Sequence, residues 1–259
     1  MAATKGNAQS IIIGGIELDA ETASVQMNLE TSSGDETNLA STAMESIPIL
    51  TSGSVDVNGY FGREDAYSLA EKLHSAAGTV DGVAYIPDRT LSAAITSPAY
   101  VMPCAYSNSL AVEAPVDGIL AATGSLTAGE PTLNSNLSAG RSIDRGMLLE
   151  YYTNFSGIGD QASIDLGSSY SGAWRAYFFI HRINDSKTAS ATDARIQIED
   201  SDDDAAFSAA ATCIFTGTGF NAREPGDTLK RYVRVSIISM GGQSGFRASV
   251  VLAVPGLTE

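Results

Sequence analysis

The stretch that decides the fold runs from Leu29 to Gly62, LETSSGDETNLASTAMESIPILTSGSVDVNGYFG. Its first half is rich in Ser, Thr and acidic residues and has no apolar spacing of three and four, so it is not an amphipathic helix. Its second half turns apolar at Ile47–Leu50 and then alternates from Ser54 to Phe61, with Val55 and Val57 on one parity and Asp56 and Asn58 on the other. A period of two is the mark of a half-buried strand. The stretch therefore predicts β-structure with a long polar loop over Thr31–Ser46, and Ser52-Gly53 reads as a turn between two strands.

Working outward, residues 1–10 are small and polar and read as a flexible arm, and order begins at Ile11–Ile13. Ser24–Leu29 is a further strand candidate. Between Glu64 and Ala77 the period changes: Tyr67, Leu69/Ala70, Leu73 and Ala76/Ala77 form one stripe and Gly78 supplies a stop, which predicts an amphipathic helix. Val83–Pro87, Ala99–Asn108 and Gly118–Ser125 read as strands, the last two separated by a Pro115-Val-Asp-Gly turn. From Ser125 to Ser142 small polar residues and Pro131 leave little to bury, which places a linker at 130–141 between units at 11–129 and 142–259.

The second unit reads as seven strands, at Gly146–Tyr152, Ala162–Leu166, Trp174–Arg182, Asp193–Glu199, Ala210–Phe215, Arg231–Ser239 and Phe246–Val254. That spacing, broken by Gly and Asp turns, predicts a β-sandwich of jelly-roll type. The expected fold class is mainly β: a β-sandwich or barrel with one α-helix, then a second β-sandwich.

A chain of 259 residues, 44% hydrophobic, has material for two cores. Its net charge of −15 is unevenly placed, because residues 1–125 hold 4 Lys/Arg against 15 Asp/Glu and so carry −11. A nucleic-acid binder needs clustered cations to neutralise phosphate, so this balance argues against specific DNA or RNA binding. Cys104 and Cys213 stand far apart in apolar surroundings and read as buried thiols rather than a disulfide framework. The apolar run at Ile11–Ile13 is too short for a signal peptide, and no run approaches a membrane span, so folding in a cytoplasm is expected.

The order of these parts resembles the tube-forming domain of long-tailed bacteriophage tail tube proteins over roughly residues 10–125: an acidic Ser/Thr segment, IPIL, the alternating SVDVNGYF, a helix and then YIP. The resemblance implies a structural virion protein of the tail, assembled in the host cytoplasm. Its copies would form hexameric rings stacked into a tube, and genomic DNA would pass through the lumen without specific binding. It also implies contacts with other tail proteins and a role for Thr31, Asp35, Glu36, Thr37 and Glu45 in an assembly loop reaching neighbouring subunits or the next ring. The second unit, with RGMLLEYYTNFSG, AWRAYFFIHR and FRASVVLAV, resembles the accessory galactose-binding-type sandwiches appended to phage tail and virion proteins.

Catalytic chemistry is sparse. The chain has two histidines, His74 and His181, and no G-x-S-x-G elbow, so no nucleophile with a poised base is visible and no enzyme is expected. Gly217-x-Gly219 lacks a third glycine and a surrounding βαβ unit, and reads as a loop. Asp200, Asp202 and Asp204 alternate as ligands of a hard cation would, but Ala205 and Ala211 stand where an EF-hand needs glycine and glutamate. A solvated acidic turn is the alternative, and no cofactor is expected. For a glycan, Tyr151, Tyr170 and Trp174 are the candidate stacking platforms, although a lone tryptophan in an apolar strand more often belongs to a core. Arg231, Arg234 and Arg247 sit on or beside strands, where they can pair across a sheet. A capsid decoration protein and a carbohydrate-binding adhesion module are the rival readings.

Overall fold

The computed structural model describes residues 9–18, 22–35, 46–60, 69–77, 79–89, 97–113, 121–138, 142–183, 194–226 and 228–254. Within them the chain is mainly β, and its named strands all pair antiparallel. The first half holds β1 (Ser10–Ile13), β2 (Ile16–Glu17), β3 (Thr22–Asp35), β4 (Ser46–Tyr60), helix α1 (Leu69–Ser75), β5 (Asp81–Ile86), β6 (Pro98–Glu113) and β7 (Ala121–Ala128). The second holds β8 (Asp144–Phe155), β9 (Gly159–Asp160), β10 (Ile164–Asp165), β11 (Arg175–Ile183), β12 (Ala194–Ser201), β13 (Ser208–Phe215), β14 (Gly219–Arg223), β15 (Tyr232–Met240) and β16 (Phe246–Ala253).

An 11-stranded sheet runs through both halves in the order β14-β11-β16-β8-β6-β5-β1-β2, with β7, β4 and β3 branching from β6. The join is the pairing of β6 with β8, from Pro98 opposite Met147 to Val101 opposite Asp144. A second sheet of five strands, β10-β15-β12-β13 with β9, covers one face of β8, β11 and β16.

Three cores follow. In the first, Ile11, Ile13, Val55, Val57, Ala122 and Leu126 pack under the helix stripe of Leu69, Ala70, Leu73 and Ala76. In the second, Phe178, Ile180, Val250 and Trp174 face Ile196, Ile198, Val233 and Val235 of the five-stranded sheet. A middle core takes Ile12, Ala84, Ile86, Ala99 and Val101 from the first half and Leu148, Tyr177, Phe179, Ala222 and Val251 from the second. β1 and β11 thus bury both faces, which is why they read III and AYFFI without alternation.

The large sheet curls until its ends meet. Gly15, at φ +81, lies so close to β11 and β14 that a Cβ there would stand 2.4 Å from the Ile180 carbonyl oxygen and 2.7 Å from that of Gly219. Only glycine meets both the dihedral and the space.

Several expectations change. Ser52-Gly53 is not a turn: β4 runs through it, with Leu29 opposite Gly53, and the glycine instead admits the Ile143 side chain, whose Cδ1 would lie 1.9 Å from an added Cβ. The segment expected as a loop from Thr31 is paired to Asp35, opposite Ser46. Gly219 opens strand β14, which pairs with β11, so the expected loop there is half strand. The helix is described from Leu69, and Glu64–Ser68 lie outside the described residues, as do residues 1–8 of the expected arm. Within 130–141, Pro131 and Leu137 are buried.

Candidate functional site

The four strands β3, β4, β7 and β6 form a sheet whose two faces are sharply different. Register partners share a face. Val25 opposes Val57, Met27 opposes Val55, and Leu126 lies across from Val55, which makes the core-facing side apolar. On the other side Gln26, Asp56, Ser125 and Ser109 line up across all four strands, followed by Asn58, Thr123 and Ala111, and then by Tyr60, Ala121 and Glu113. Asp56 and Asn58 are exposed while Val55 and Val57 are buried, so the alternation read in the sequence holds. Asn28 Nδ2 donates to Asp56 Oδ2 at 2.9 Å and Gln26 Nε2 to Asn28 Oδ1 at 2.9 Å, which ties the polar face together.

These strands contain no lysine, arginine or histidine, and their charges are Glu30, Asp35, Asp56 and Glu113. The signal was available in the sequence, since residues 22–60 and 98–128 hold no cation at all. What the sequence did not show is that the two stretches lie side by side.

Both outer margins of this sheet are open among the described residues. β3 pairs only with β4, and β6 beyond Ser109 pairs only with β7. Aliphatic side chains on the core-facing side stand exposed there: Leu29 at 53% on β3, and Leu110 at 36% and Val112 at 47% on β6. The five-stranded sheet treats its edge differently, because Arg223 Nε on β14 donates to the Thr212 carbonyl of edge strand β13 at 3.0 Å.

Two polar joints stand out, one tying β8, β11 and the end of β14 to Ser138 of the connecting segment and one crossing between the halves. In one, Arg175 Nη1 meets Asp144 Oδ2 at 3.0 Å, its Nε meets Glu224 Oε2 at 2.9 Å and its Nη2 donates to the Ser138 carbonyl at 3.1 Å. Tyr177 donates its hydroxyl to the same Asp144 oxygen. Burial raises the Tyr177 pKa, and Asp144 beside it raises it further.

In the other joint, His181 Nδ1 lies 2.9 Å from the Gly15 carbonyl, so this nitrogen carries the proton and Nε2 accepts from Ser249 Oγ at 2.7 Å. The Tyr152 amide donates to Ser249 Oγ at 2.9 Å, and Tyr152 itself sits at φ 49, its ring edge-on to the imidazole. Burial pulls the His181 pKa down to about 3, with Arg247 adding to the shift and the Gly15 hydrogen bond opposing it. The serine–histidine distance suits a nucleophile and its base. Yet Ser249 is 0% and His181 1% exposed, so no substrate reaches the pair and it acts as a structural joint.

The remaining candidates are dispersed. Asp200 is buried and accepts from Ser208 Oγ and the Lys230 amide, both at 3.1 Å, while Asp202 and Asp204 are exposed. No cluster of three metal-ligating side chains occurs among the described residues. Asp203 instead organises this turn: it accepts from the Ala205 and Ala206 amides at 3.0 Å and from Ser201 Oγ at 2.8 Å, which hold its pKa down to about 2. Trp174 is 1% exposed in the second core, Tyr170 packs against that core and bridges Leu229, and Tyr151, half-buried, packs against the middle core with its hydroxyl on Glu17. The three do not form one stacking platform.

Thr31 and Asp35 stand on the β3 ladder opposite Thr51 and Ser46, and Glu36, Thr37 and Glu45 lie outside the described residues. Arg231 pairs with Asp165 at 2.6 Å and Arg234 with Glu199 at 2.7 Å, while Arg247 lies over the Tyr152 ring. Both cysteines are buried and free, and burial pushes the Cys213 thiol up to about 12. No helix among the described residues is long and apolar enough to cross a membrane.

No protein-family model matches the chain, and no curated protein matches it. Its structure is similar to a chain of the virion of the native gene transfer agent particle, at 17% identity and a TM-score of 0.38, covering 49% of this chain and 95% of that one. A chain from the tail of the empty gene transfer agent particle, computed with C6 symmetry, is 16% identical with a TM-score of 0.34, covering 42% of this chain and 78% of that one. The Dit protein (gp 19.1) of SPP1 is 10% identical with a TM-score of 0.31, covering 94% of this chain and 97% of that one. With such scores and identities, the likeness by itself assigns no function to this chain.

Proposed function

We propose that the protein is a structural subunit of a phage virion tail, the major tail tube protein, whose copies join edge to edge into hexameric rings stacked as a DNA-conducting tube. In this reading residues 11–129 form the ring, residues 142–259 face outward as an accessory sandwich, and the stretch holding Thr31, Asp35, Glu36, Thr37 and Glu45 contacts a neighbouring subunit or ring. The observation that carries it is the cation-free four-stranded sheet with open margins on both sides.

Long strand edges are templates for pairing, and proteins that stay monomeric blunt them with lysine, proline or a covering side chain. The β3 edge and the distal β6 edge carry no lysine and no proline, whereas β13 is capped by Arg223. Two different edges make a head-to-tail contact, which closes into a ring when the rotation permits. Joining β3 of one copy to β6 of the next sets Val25, Met27 and Leu29 beside Leu110 and Val112 and buries all five. The opposite face then lines a channel with carboxylates and hydroxyls and no cations, a surface that repels phosphate and lets DNA slide. The six-fold number follows from the resemblance to tail tube proteins. Partners are thus other copies and other tail proteins, and the role is assembly rather than catalysis.

Negative-stain electron microscopy of the purified full-length protein at high concentration tests the proposal. Hollow tubes or stacked rings with outer knobs are expected, and Val112→Lys, at an exposed position, should abolish them while leaving the fold intact. Dispersed monomers or trimers of the unmodified protein would refute it and favour a capsid decoration protein.

A further inference from the structure

We propose that the Gly14–Gly15 turn, seated between β11 and β14 and held by His181, is an acid-releasable latch that closes the curled sheet and locks the two halves of the chain together. Among the described residues no ladder of backbone pairs joins β2 to β14 where the sheet's ends meet, and the closure is made by packing and side-chain bonds. The turn fits because Gly15 has no Cβ to meet the Ile180 and Gly219 backbones, and its carbonyl is fixed at 2.9 Å from His181 Nδ1. The amide of Gly14 donates to Gly82 at 2.8 Å, which ties the turn to the first half.

The network is satisfied only by neutral histidine. Nδ1–H donates to Gly15, Nε2 accepts from Ser249, and Ser249 accepts in turn from the Tyr152 amide. A second proton on the imidazole turns Nε2 into a donor and forces Ser249 to reverse. The charge would also arise in a buried site where the cation acting on the ring is Arg247 of β16.

Of the other groups around the latch, the buried carboxyls of Asp81 and Glu150, whose pKa values burial raises, work in the opposite direction. Tyr152 of β8 presents a ring edge, Thr218 donates to the His181 carbonyl at 2.9 Å, and Arg182 follows in the chain. Glu17 of β2 is engaged by Tyr151 and by Arg89 at 3.6 Å, and Glu150 accepts from Thr153 at 2.6 Å. Asp81 of β5, behind Gly14 and near Lys72 of α1, has its pKa raised by burial, so its own protonation favours the seated turn. Release in acid is therefore carried by His181 against Asp81 and Glu150.

The sign is fixed by linkage. A histidine held neutral in the fold contributes its full stability above its ordinary value of about 6.5 and loses it as the pH falls toward about 3. Opening that exposes His181 should grow by up to about tenfold per pH unit across that window.

Hydrogen exchange of the full-length protein reads the latch, with rates corrected for the intrinsic pH dependence of exchange. Between pH 6 and pH 4, segments 10–18 and 176–183 should lose protection while 194–201, in the five-stranded sheet, keeps its own. His181→Gln retains a donor and an acceptor without a titrating charge, and its protection should stay flat over the same range. Parallel loss in the unmodified protein and the variant would overturn the proposal, as would equal loss in 194–201.

A second readout needs no variant. Because His74 and His181 are the only histidines, labelled-histidine NMR resolves both. His181 should stay neutral until protection of 10–18 falls, and a titration near its ordinary value with the latch still protected overturns the proposal.

Discussion

Replacing Phe179 by alanine tests whether the two halves form one body or two tethered ones. Phe179 is fully buried in the middle core, its ring centroid 4.9 Å from that of Phe220, and it sits between Ser249 of β16 and Phe220 of β14 in the ladder. Truncating a buried phenylalanine costs about 3–5 kcal/mol, from the lost transfer free energy and the cavity left behind. At about 2–4 °C per kcal/mol for a chain of this size, Tm should fall by roughly 10 °C. Where that cost is felt is the informative part. The same core takes Ile12, Ala84, Ile86, Ala99 and Val101 from the first half, so a change made in the second half must loosen both.

Thermal unfolding followed by two probes separates the cases. Trp174, the only tryptophan, reports the second core by fluorescence, and amide exchange of β1 and β5 reports the first half. Both should shift together. A lowered fluorescence midpoint with unchanged protection in β1 and β5 would show that the middle core does not couple the halves, and would refute the reasoning.

Two further outcomes are expected. Arg175→Ala leaves Asp144 and Glu224 without their cation in a half-buried joint and should destabilise the protein by about 3 kcal/mol, read by urea unfolding; a loss below about 1 kcal/mol would mean the joint is solvated. Asp203→Ala removes the carboxylate whose pKa the Ala206 and Ala205 amides and the Ser201 hydroxyl hold down to about 2, so the variant should be less stable at pH 7. The difference should shrink as the pH drops through about 4 toward 2, because a depressed carboxylate contributes above its unfolded value and loses that contribution in acid; a gap that persists at pH 2 argues against it.

Much of the strand content was legible because its signals are local. Ser54–Tyr60 alternates and is strand; Leu69, Ala70, Leu73 and Ala76 follow helical spacing and are buried. The failures were also local signals, met by a non-local use. Gly53 looks like a turn residue, but its missing side chain makes room for Ile143, ninety residues on. Gly219 looks like a loop residue, but β11 needs a partner on its outer edge and takes β14. For His181, nothing beside it in the chain named Gly15 or Ser249 as its partners.

The sequence by itself determined which segments are extended, which of their faces are apolar, and that two long stretches hold no cation. Periodicity and composition are properties of a residue and its near neighbours, so no fold is needed to read them. Only the tertiary structure decided that those stretches become adjacent strands with open margins, that β6 and β8 join the halves, and that one core is shared between them. Strand partnership is set by which distant apolar faces bury each other, and the period-two pattern of one strand is compatible with many partners.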